Sequence, residues 1–324
     1  MHQKTSTRTG HRRRHLLATL LVALCGAAQA QPDVLRFIVP YPAGGVTDQN
    51  ARLIANKMGQ MLGQVVIVDN RPGAGGRIGV EAVMRAPKDG HTLLFSNTSY
   101  SILPVTDPKA PYDAMKSLAP IGIFGTYGLG IVVSQKVPAN TLAEFIDYVK
   151  KNPGKLSYGS SGVGSGAHFA GEYFKSLTRT NIVHIPYKST AGALNDVAGG
   201  MLDMSFDAAV KPLVDAGKVK LLAVTDDKRD PRFPGTPTAE EAGVKGFVQQ
   251  SWLGLLAPAG TPPDIVDRLS KAAAGAAADA GVRKQMLEAG LQPRSGTPAE
   301  MSAQIRKDLA LYGRIATDSK LQFE

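Results

Sequence analysis

Short runs of Val, Ile and Leu alternate with longer amphipathic stretches along most of the chain, and this alternation restricts its fold more than any other feature. Apolar runs of about four to eight residues are typical of strands buried in a parallel sheet, and the stretches between them have the period of covering helices. The pattern therefore predicts the α/β class. We predict strands at residues 34–39, 65–68, 92–96, 130–133, 155–158, 182–185, 204–206 and 220–224, and helices at 46–62, 77–85, 142–151, 166–177, 191–198, 208–216, 263–278, 281–289 and 298–317.

The chain has 324 residues, which is too long for one core, because single cores stop growing at about 250–300 residues. A glycine-broken extended segment at 121–125 is a weak point between two cores. A second crossing is expected near 223–226, because a segment rich in Pro and Gly follows it. We therefore expect a first lobe made of residues 31–129 and 224–324, a second lobe inserted at 130–223, and hinge strands between them.

The amino-terminal 30 residues have the three parts of an export signal. A basic stretch at 11–15 is followed by an apolar run at 16–28 and by the small-residue cleavage site Ala28-Gln29-Ala30. Cleavage leaves Gln31 as the first residue and removes Cys25, the one cysteine of the chain. The sequence therefore predicts a signal peptide at 1–30 and a cysteine-free protein in a periplasm, without disulfides or thiolate zinc sites.

The formal net charge of +10 is concentrated in this amino-terminal segment. The segment holds Lys4, Arg8 and the three arginines 12–14 but no acid, so the rest of the chain has only a mild positive surplus. No stripe of Lys and Arg interleaved with aromatic residues follows, and such a stripe is what nucleic-acid binding requires. We expect no nucleic-acid partner.

Two strand–loop–helix units contain glycine-rich loops, YPAGG at 41–45 and GSSGVGS at 159–165. Such a loop exposes backbone N–H groups at the positive end of the helix dipole, which makes an anion site without a charged side chain. Each expected lobe has one loop, so two facing loops would hold an acid that is negative at both ends. The alternative is that the glycines only turn the chain tightly between strand and helix.

Other functional classes fit the second loop less well. Residues 162–167 read G-x-G-x-x-A, but no ribose-binding acid ends the next strand at Pro186-Tyr187-Lys188, which argues against a dinucleotide. His168 and Glu172 share a helix face, yet no further histidine has metal-ligand spacing, so we expect no metal and no cofactor. A serine hydrolase would use Ser161 or Ser165 with His168, but the G-x-S-x-G elbow is missing.

Five motifs in order resemble the Bug family, the periplasmic solute receptors of tripartite tricarboxylate transporters. They are YPAGGVTD at 41–48, DNRPGAGG at 69–76, YGSSG at 158–162, IPYK at 185–188 and WLGLLAPAGTP at 252–262. The resemblance covers residues 31–324 and implies a type II periplasmic binding fold, whose two α/β lobes close on a small carboxylate. Carried over by motif, the ligand contacts are Tyr41, Ala43, Gly44, Gly45, Thr47, Asp48 and Asn97 from the first lobe, and Ser161, Gly162, Gly164, Ser165, His168, Tyr187, Thr190 and Asp207 from the second.

The resemblance implies a monomeric, non-catalytic receptor that captures an organic acid and passes it to the membrane subunits of its transporter. A periplasmic hydrolase and a ligand-sensing partner of a membrane sensor kinase are the alternatives. The role of Asp48 stays open between a helix cap and a ligand contact, since an acid would repel a carboxylate. Ser189 stands where family members commonly have glycine, so its hydroxyl is expected either to add a contact or to narrow the cleft.

Overall fold

A computed structural model describes residues 34–107 and 109–321 of the chain. The predicted signal peptide, with Cys25 and its cleavage site, lies outside the described residues. Strands of the described part are β1 Val34–Val39, β2 Val65–Asn70, β3 Thr92–Asn97, β4 Leu118–Gly128, β5 Gly130–Ser134, β6 Ser157–Ser160, β7 Val183–Pro186, β8 Met204–Asp207, β9 Val219–Val224, β10 Gln250–Pro258 and β11 Gln292–Gly296.

Helices cover both sheets and connect most of the strands. They are α1 Val46–Leu62, α2 Arg77–Met84, α3 Ser99–Thr106, α4 Leu142–Lys151, α5 Gly166–Thr178, α6 Thr190–Gly199, α7 Lys211–Asp215, α8 Pro263–Ala278, α9 Ala280–Glu288 and α10 Pro298–Asp318. Every predicted strand and helix is confirmed, with ends that differ by three residues at most. None of the described helices is long and apolar enough to cross a membrane.

The strands form two mixed sheets, in the orders β11-β4-β10-β3-β1-β2 and β7-β6-β8-β5-β9. β1 pairs in parallel with β2 and β3, and β6 pairs in parallel with β7 and β8. β10 lies antiparallel to β3 and β4, and β5 lies antiparallel to β8 and β9. The α/β class is confirmed. The parallel pairing that the apolar runs indicate is found around β1 and β6, whereas β5 and β10 lie antiparallel to their neighbours, because an apolar run reports burial on both faces and not strand direction.

The chain passes between the sheets at two neighbouring points, after β4 and after β9. The N–H of Leu129 donates to the hydroxyl of Thr225 at 2.9 Å, and the N–H of Thr225 donates to the carbonyl of Leu129 at 2.8 Å. The Thr225 hydroxyl in turn donates to the carbonyl of Gln249 at 2.6 Å. The crossing segments are therefore tied to each other by the backbone and the hydroxyl of Thr225.

Each sheet has its own apolar core, and later parts of the chain pack on both. Phe37, Phe95 and Phe124 stack in the core of the first sheet. Tyr312, near the end of α10, packs in the core of the second sheet, where Phe247 also lies. The predicted lobe boundaries, with the first lobe resuming at residue 224, stay a prediction.

Four elements lack a counterpart in the sequence-based assignment: β4, α3, β10 and β11. Glycine and proline interrupt β4 and β10, and both strands have irregular register where they pair. α3 contains Pro104, which weakens a helical pattern. Because of Pro104, the sequence pattern did not predict α3, whose first residue, Ser99, lines a cavity between the two sheets.

Candidate functional site

Two connected cavities lie between the sheets, and we call them the inner and the outer cavity. The inner cavity has a volume of about 590 Å³ and the outer one about 1130 Å³, and they share Ser99, Ile102 and Ser161. The inner cavity is lined by Gly44, Gly45, Val46, Gln49, Asn97, Thr98, Ser99, Ile102, Tyr127, Leu129, Ser161, Gly166, Ala167, Thr190, Phe206, Asp207, Ala208, Ala209, Gln249, Gln250, Ser251 and Tyr312.

The lining of the outer cavity includes charged side chains. Arg77 forms ion pairs with Asp107 at 3.4 Å and with Glu81 at 3.8 Å, so its charge is already balanced. The lining residues are Pro40, Tyr41, Pro42, Pro72, Gly73, Ala74, Gly75, Gly76, Arg77, Ser99, Ile102, Leu103, Thr106, Asp107, Lys109, Ser161, Val163, Gly164 and Ser165.

Asp48 holds the first glycine loop (residues 41–45) and does not line either cavity. Its carboxylate accepts the N–H of Gly44 at 2.9 Å, the amide of Asn70 at 2.9 Å and the guanidinium of Arg52 at 3.0 Å. Burial alone would raise the pKa of Asp48, but these bonds outweigh burial and lower it. With its oxygens bonded in this way, the side chain holds the first glycine loop to β2 and α1, and α1 itself has no side-chain cap bond.

Asn97, at the end of β3, is held in place at the cavity wall by three neighbours. Its side-chain oxygen accepts the Tyr41 hydroxyl at 2.8 Å and the N–H of Ser99 at 2.9 Å. Its amide donates to the hydroxyl of Thr47 at 3.1 Å. Thr47 is buried and lines neither cavity, and its hydroxyl holds the Asn97 amide.

The second glycine loop (residues 159–165) lies against the first-sheet side of the cleft. Gly164 has φ of +79°, and a Cβ there would come within 3.0 Å of Thr106 on α3. Glycine is therefore required both by the left-handed backbone and by the close approach of α3. Ser165 caps α5 by accepting the N–H of His168, and the N–H of Gly162 donates to Ser160.

Tyr187, Thr190 and Asp207 are predicted ligand contacts at or after the ends of strands of the second sheet, and only Thr190 and Asp207 line the inner cavity. Tyr187 donates its hydroxyl to Asp196 at 2.7 Å, a bond that raises its pKa to about 12. Thr190 and Asp207 do line the cavity. Burial raises the pKa of Asp207, while hydrogen bonds from Ala209 and Thr190 act in the opposite direction.

Ser189 precedes α6 as its N-cap residue. Its side chain accepts the N–H of Gly192 at 3.3 Å, and it lines neither cavity. The hydroxyl of Ser189 therefore caps a helix and does not narrow the cleft.

Four helices begin at the wall of the inner cavity. Their first residues, or the caps before them, are Gly45 for α1, Ser99 for α3, Gly166 for α5 and Thr190 for α6. The first N–H groups of a helix have no intrahelical partner, and the positive end of its dipole lies at these groups. One such group is already bonded in three of the helices: the N–H of Ser99 donates to Asn97, that of His168 to Ser165 and that of Gly192 to Ser189. The inner cavity is thus a place where four helix amino ends meet, with their remaining N–H groups as candidate donors.

The charged side chain in the inner cavity has the sign opposite to that of the positive helix ends. No Lys or Arg is among its lining residues, all of which belong to the described ranges, and Asp207 is the single carboxylic acid there. Four helix ends contribute about 1–4 kcal/mol at roughly 0.3–1 kcal/mol each, whereas micromolar affinity requires about 8 kcal/mol. Several hydrogen bonds from N–H and hydroxyl groups must therefore supply the rest of the affinity for an anion.

The residues predicted as ligand contacts divide into three sets. The inner cavity brings together Gly44, Gly45, Asn97, Ser161, Thr190 and Asp207. The outer cavity contains Tyr41, Gly164 and Ser165, and shares Ser161. Outside both linings are Ala43, Thr47, Asp48, Gly162, His168 and Tyr187. As ligand contacts, all of these residues stay predictions.

Several lining residues were missed by sequence reasoning. Ser99 follows a strand and begins a helix, a signal that was overlooked because α3 itself was not predicted. Gln249 to Ser251 form a polar run directly before the apolar strand motif at 252, which was a usable signal. Tyr312 lies deep in the last helix, and nothing in its sequence context distinguishes it from a core residue.

Residues 50–321 match the tripartite tricarboxylate transporter family receptor. The chain is 32% identical over 308 residues to protein BugT of Bordetella pertussis, covering 94% of each chain. Among solved structures it is similar to periplasmic binding protein BugD, with 33% identity, a TM-score of 0.77 and coverage of 89% and 98%.

Two similar structures contain bound acids. One is R. palustris Rpa4515 with adipate, at 32% identity and a TM-score of 0.80, with 89% of this chain and 97% of that one covered. The other is MatC from Rhodopseudomonas palustris with bound malate, at 29% identity and a TM-score of 0.76, with coverage of 87% and 98%.

Proposed function

Because the chain belongs to the tripartite tricarboxylate transporter receptor family, we propose that it is a periplasmic receptor that binds a small organic carboxylate in the inner cavity. It then delivers this acid to the membrane subunits of its transporter. The observation that carries the proposal is the convergence of four helix amino ends on a cavity whose lining has no Lys or Arg. Such a cavity favours a carboxylate through backbone donors and hydroxyls.

The similar structures support the ligand class and leave its size open. Adipate is a six-carbon diacid without substituents, and malate is a four-carbon diacid with one hydroxyl. Both have a negative group at each end, as two opposed sets of helix ends require. In this chain the opposed sets are the starts of α1 and α3 on the first sheet and of α5 and α6 on the second.

The proposed receptor does no chemistry on its ligand. A hydrolase would need an imidazole to take the proton of a cavity serine. In the described structure, the Nδ1 of His168 accepts the N–H of Gly164, and the Nε2 of His184 contacts Ser160, which is fully buried and lines neither cavity. Turnover of a model ester would contradict the receptor proposal.

A thermal-shift panel tests the ligand class. Malate, succinate, adipate, citrate and glutamate are each added to residues 31–324, and we expect at least one to raise the melting temperature. A ligand that binds only the folded state at about 100 times its Kd adds about 2.7 kcal/mol to the free energy of unfolding. The neutral diamides of the same acids are the matched controls. Equal shifts with acids and diamides, or none with either, would contradict the proposal.

Ser161 tests the hydroxyl contribution to binding. It is exposed and lines both cavities, so Ser161→Ala removes a ligand bond without disturbing a core. We expect Kd to rise several-fold, since one hydrogen bond contributes about 0.5–1.5 kcal/mol. Calorimetry with the acid that gives the largest thermal shift measures it.

Lys188→Met and Arg71→Met are the controls for the serine variant. Lys188 lines neither cavity, and Arg71 pairs with Asp69 at 3.0 Å. We expect Kd to change less than twofold in both, because the anion is held by dipoles and not by these cations. Loss of binding in a folded Lys188→Met protein would show that an ion pair holds the ligand.

A further inference from the structure

Two histidines that line neither cavity are stacked beneath the second glycine loop. The rings of His168 on α5 and His184 on β7 have centroids 4.2 Å apart and an interplanar angle of 25°. Tyr158 covers the His184 ring at 4.8 Å. His168 is only 5% exposed and is shielded from water, whereas His184 is half-buried.

Each ring is bonded to one end of the loop. The Nδ1 of His168 accepts the backbone N–H of Gly164 at 3.0 Å. The Nε2 of His184 lies 2.7 Å from the hydroxyl oxygen of Ser160, and this oxygen bonds both the N–H and the carbonyl of Gly162, at 3.1 and 3.0 Å. Both glycines have positive φ, of +110° at Gly162 and +79° at Gly164. The imidazole pair thus fixes the two left-handed positions of the loop.

The bond to Gly164 also sets the charge of His168. A ring nitrogen that accepts an N–H has no proton of its own, so His168 is neutral with its proton on Nε2. Protonation of Nδ1 would place a donor against the donor of Gly164 and leave the glycine N–H without its acceptor. It would also put an imidazolium 4.2 Å from the second ring, where a second charge is disfavoured.

The ionic groups that face the imidazole pair come from α5. Glu172 accepts the hydroxyl of Tyr158 and the ammonium of Lys175, both at 2.7 Å. Burial is the main cause that lowers the pKa of His168, with Glu172 opposing and Lys175 adding to it. Burial and then His168 lower the pKa of His184 to about 4, again against Glu172.

We propose that the imidazole pair holds the second glycine loop in its ligand-binding shape only while His168 is neutral, and that protonation of His168 releases the loop. This inference rests on the proposed function, because Ser161 of the loop lines both cavities. The hold is complete at neutral pH. It is lost as the pH falls below the ordinary histidine value of about 6.5 towards the lowered values of the pair.

The first test needs no ligand. NMR spectra of protein labelled with ¹⁵N in glycine and histidine are recorded from pH 7.5 to 4. We expect His168 to titrate below the exposed value, and the Gly164 amide to shift with the same midpoint and to exchange faster with water. Titration of His168 at about 6.5 or above, or a Gly164 amide that is unchanged while His168 titrates, would overturn the inference.

A second test uses amide side chains that place similar atoms without titrating. In His168→Asn the side-chain oxygen takes the place of Nδ1 and accepts from Gly164, and in His184→Gln the amide reaches the place of Nε2. With adipate and malate as probes, we expect the double variant to bind within several-fold of wild type at pH 7.5. Between pH 7.5 and 4.5, wild type should lose about tenfold more affinity than the double variant.

The comparison of variants removes the effect of protonating the acid itself, which is the same for every protein form. His91→Gln is the matched control, because it removes the remaining histidine after residue 30 and should keep the wild-type pH profile. Parallel losses in wild type and the double variant would overturn the inference. Failure of both acids to bind at pH 7.5 would count against their being ligands, while the Gly164 titration would still decide the inference.

Discussion

Replacing Gly45 with valine should raise the Kd for the bound carboxylate by about 100-fold or more and leave the fold intact. Gly45 has φ of −75° and ψ of 168°, a conformation that any residue adopts. A Cβ there would meet only the carbonyl of Pro42, at 3.8 Å, so the side chain has room in the unliganded protein. The added methyl groups would project at the start of α1, where the ligand must approach the backbone N–H groups.

The size of this effect follows from two losses. Overpacking at a contact costs about 1–3 kcal/mol, and a carboxylate oxygen left without its donor costs a further roughly 1–3 kcal/mol. Calorimetry measures Kd, and circular dichroism with thermal melting checks the fold. Binding that stays within about threefold of wild type in a folded Gly45→Val protein would exclude the start of α1 from the site.

Replacing Gly166 with valine, on the opposite side of the cavity, should raise the Kd for the carboxylate by a similar factor. Gly166 is the first residue of α5 and lines the inner cavity, and a Cβ there meets nothing within 4 Å. Its carbonyl, which accepts the amide of Gln249 at 2.9 Å, is unchanged by the substitution. If both lobes hold the acid, blocking either set of donors should be enough to prevent binding.

Gly235→Val is the matched control for both variants. Gly235 has open space around the position of a Cβ, its φ is not in the left-handed region, and it lines neither cavity. We expect its Kd to stay within about twofold of wild type. Loss of binding in Gly45→Val with full binding in Gly166→Val would place the ligand on the first sheet alone and contradict a two-sided site.

The secondary structure was largely readable from the sequence, because apolar periodicity and caps are local. α1, α4 and α8 have the predicted bounds, and α10 begins with the capping box that Thr297 and Glu300 form. Sequence reading failed where a local signal is broken, as in α3 with its internal proline. Strand direction was also beyond it, since an apolar run in β5 has the same pattern whether its neighbours run parallel or antiparallel.

The sequence predicted the type of donor at the site, but it did not predict which residues line the cavities. Two glycine loops before helices predict backbone donors for an anion, and these loops do flank the cavities. The motif also drew in polar residues whose atoms are engaged elsewhere: Asp48 with Arg52, and Tyr187 with Asp196. A motif records which residue types stand at a position, and it does not record which partner each polar atom finds.

The sequence by itself determined the α/β class, the position of most helices and strands, and two loops able to offer N–H groups. Only the tertiary structure decided that four helix ends meet at one cavity, that Tyr312 of the last helix lines it, and that His168 and His184 stack beneath the second glycine loop. The physical reason is the separation along the chain of the residues that interact. Periodicity, caps and turns depend on residues a few positions apart, whereas a shared cavity and a stacked pair depend on how two sheets pack residues that are distant along the chain.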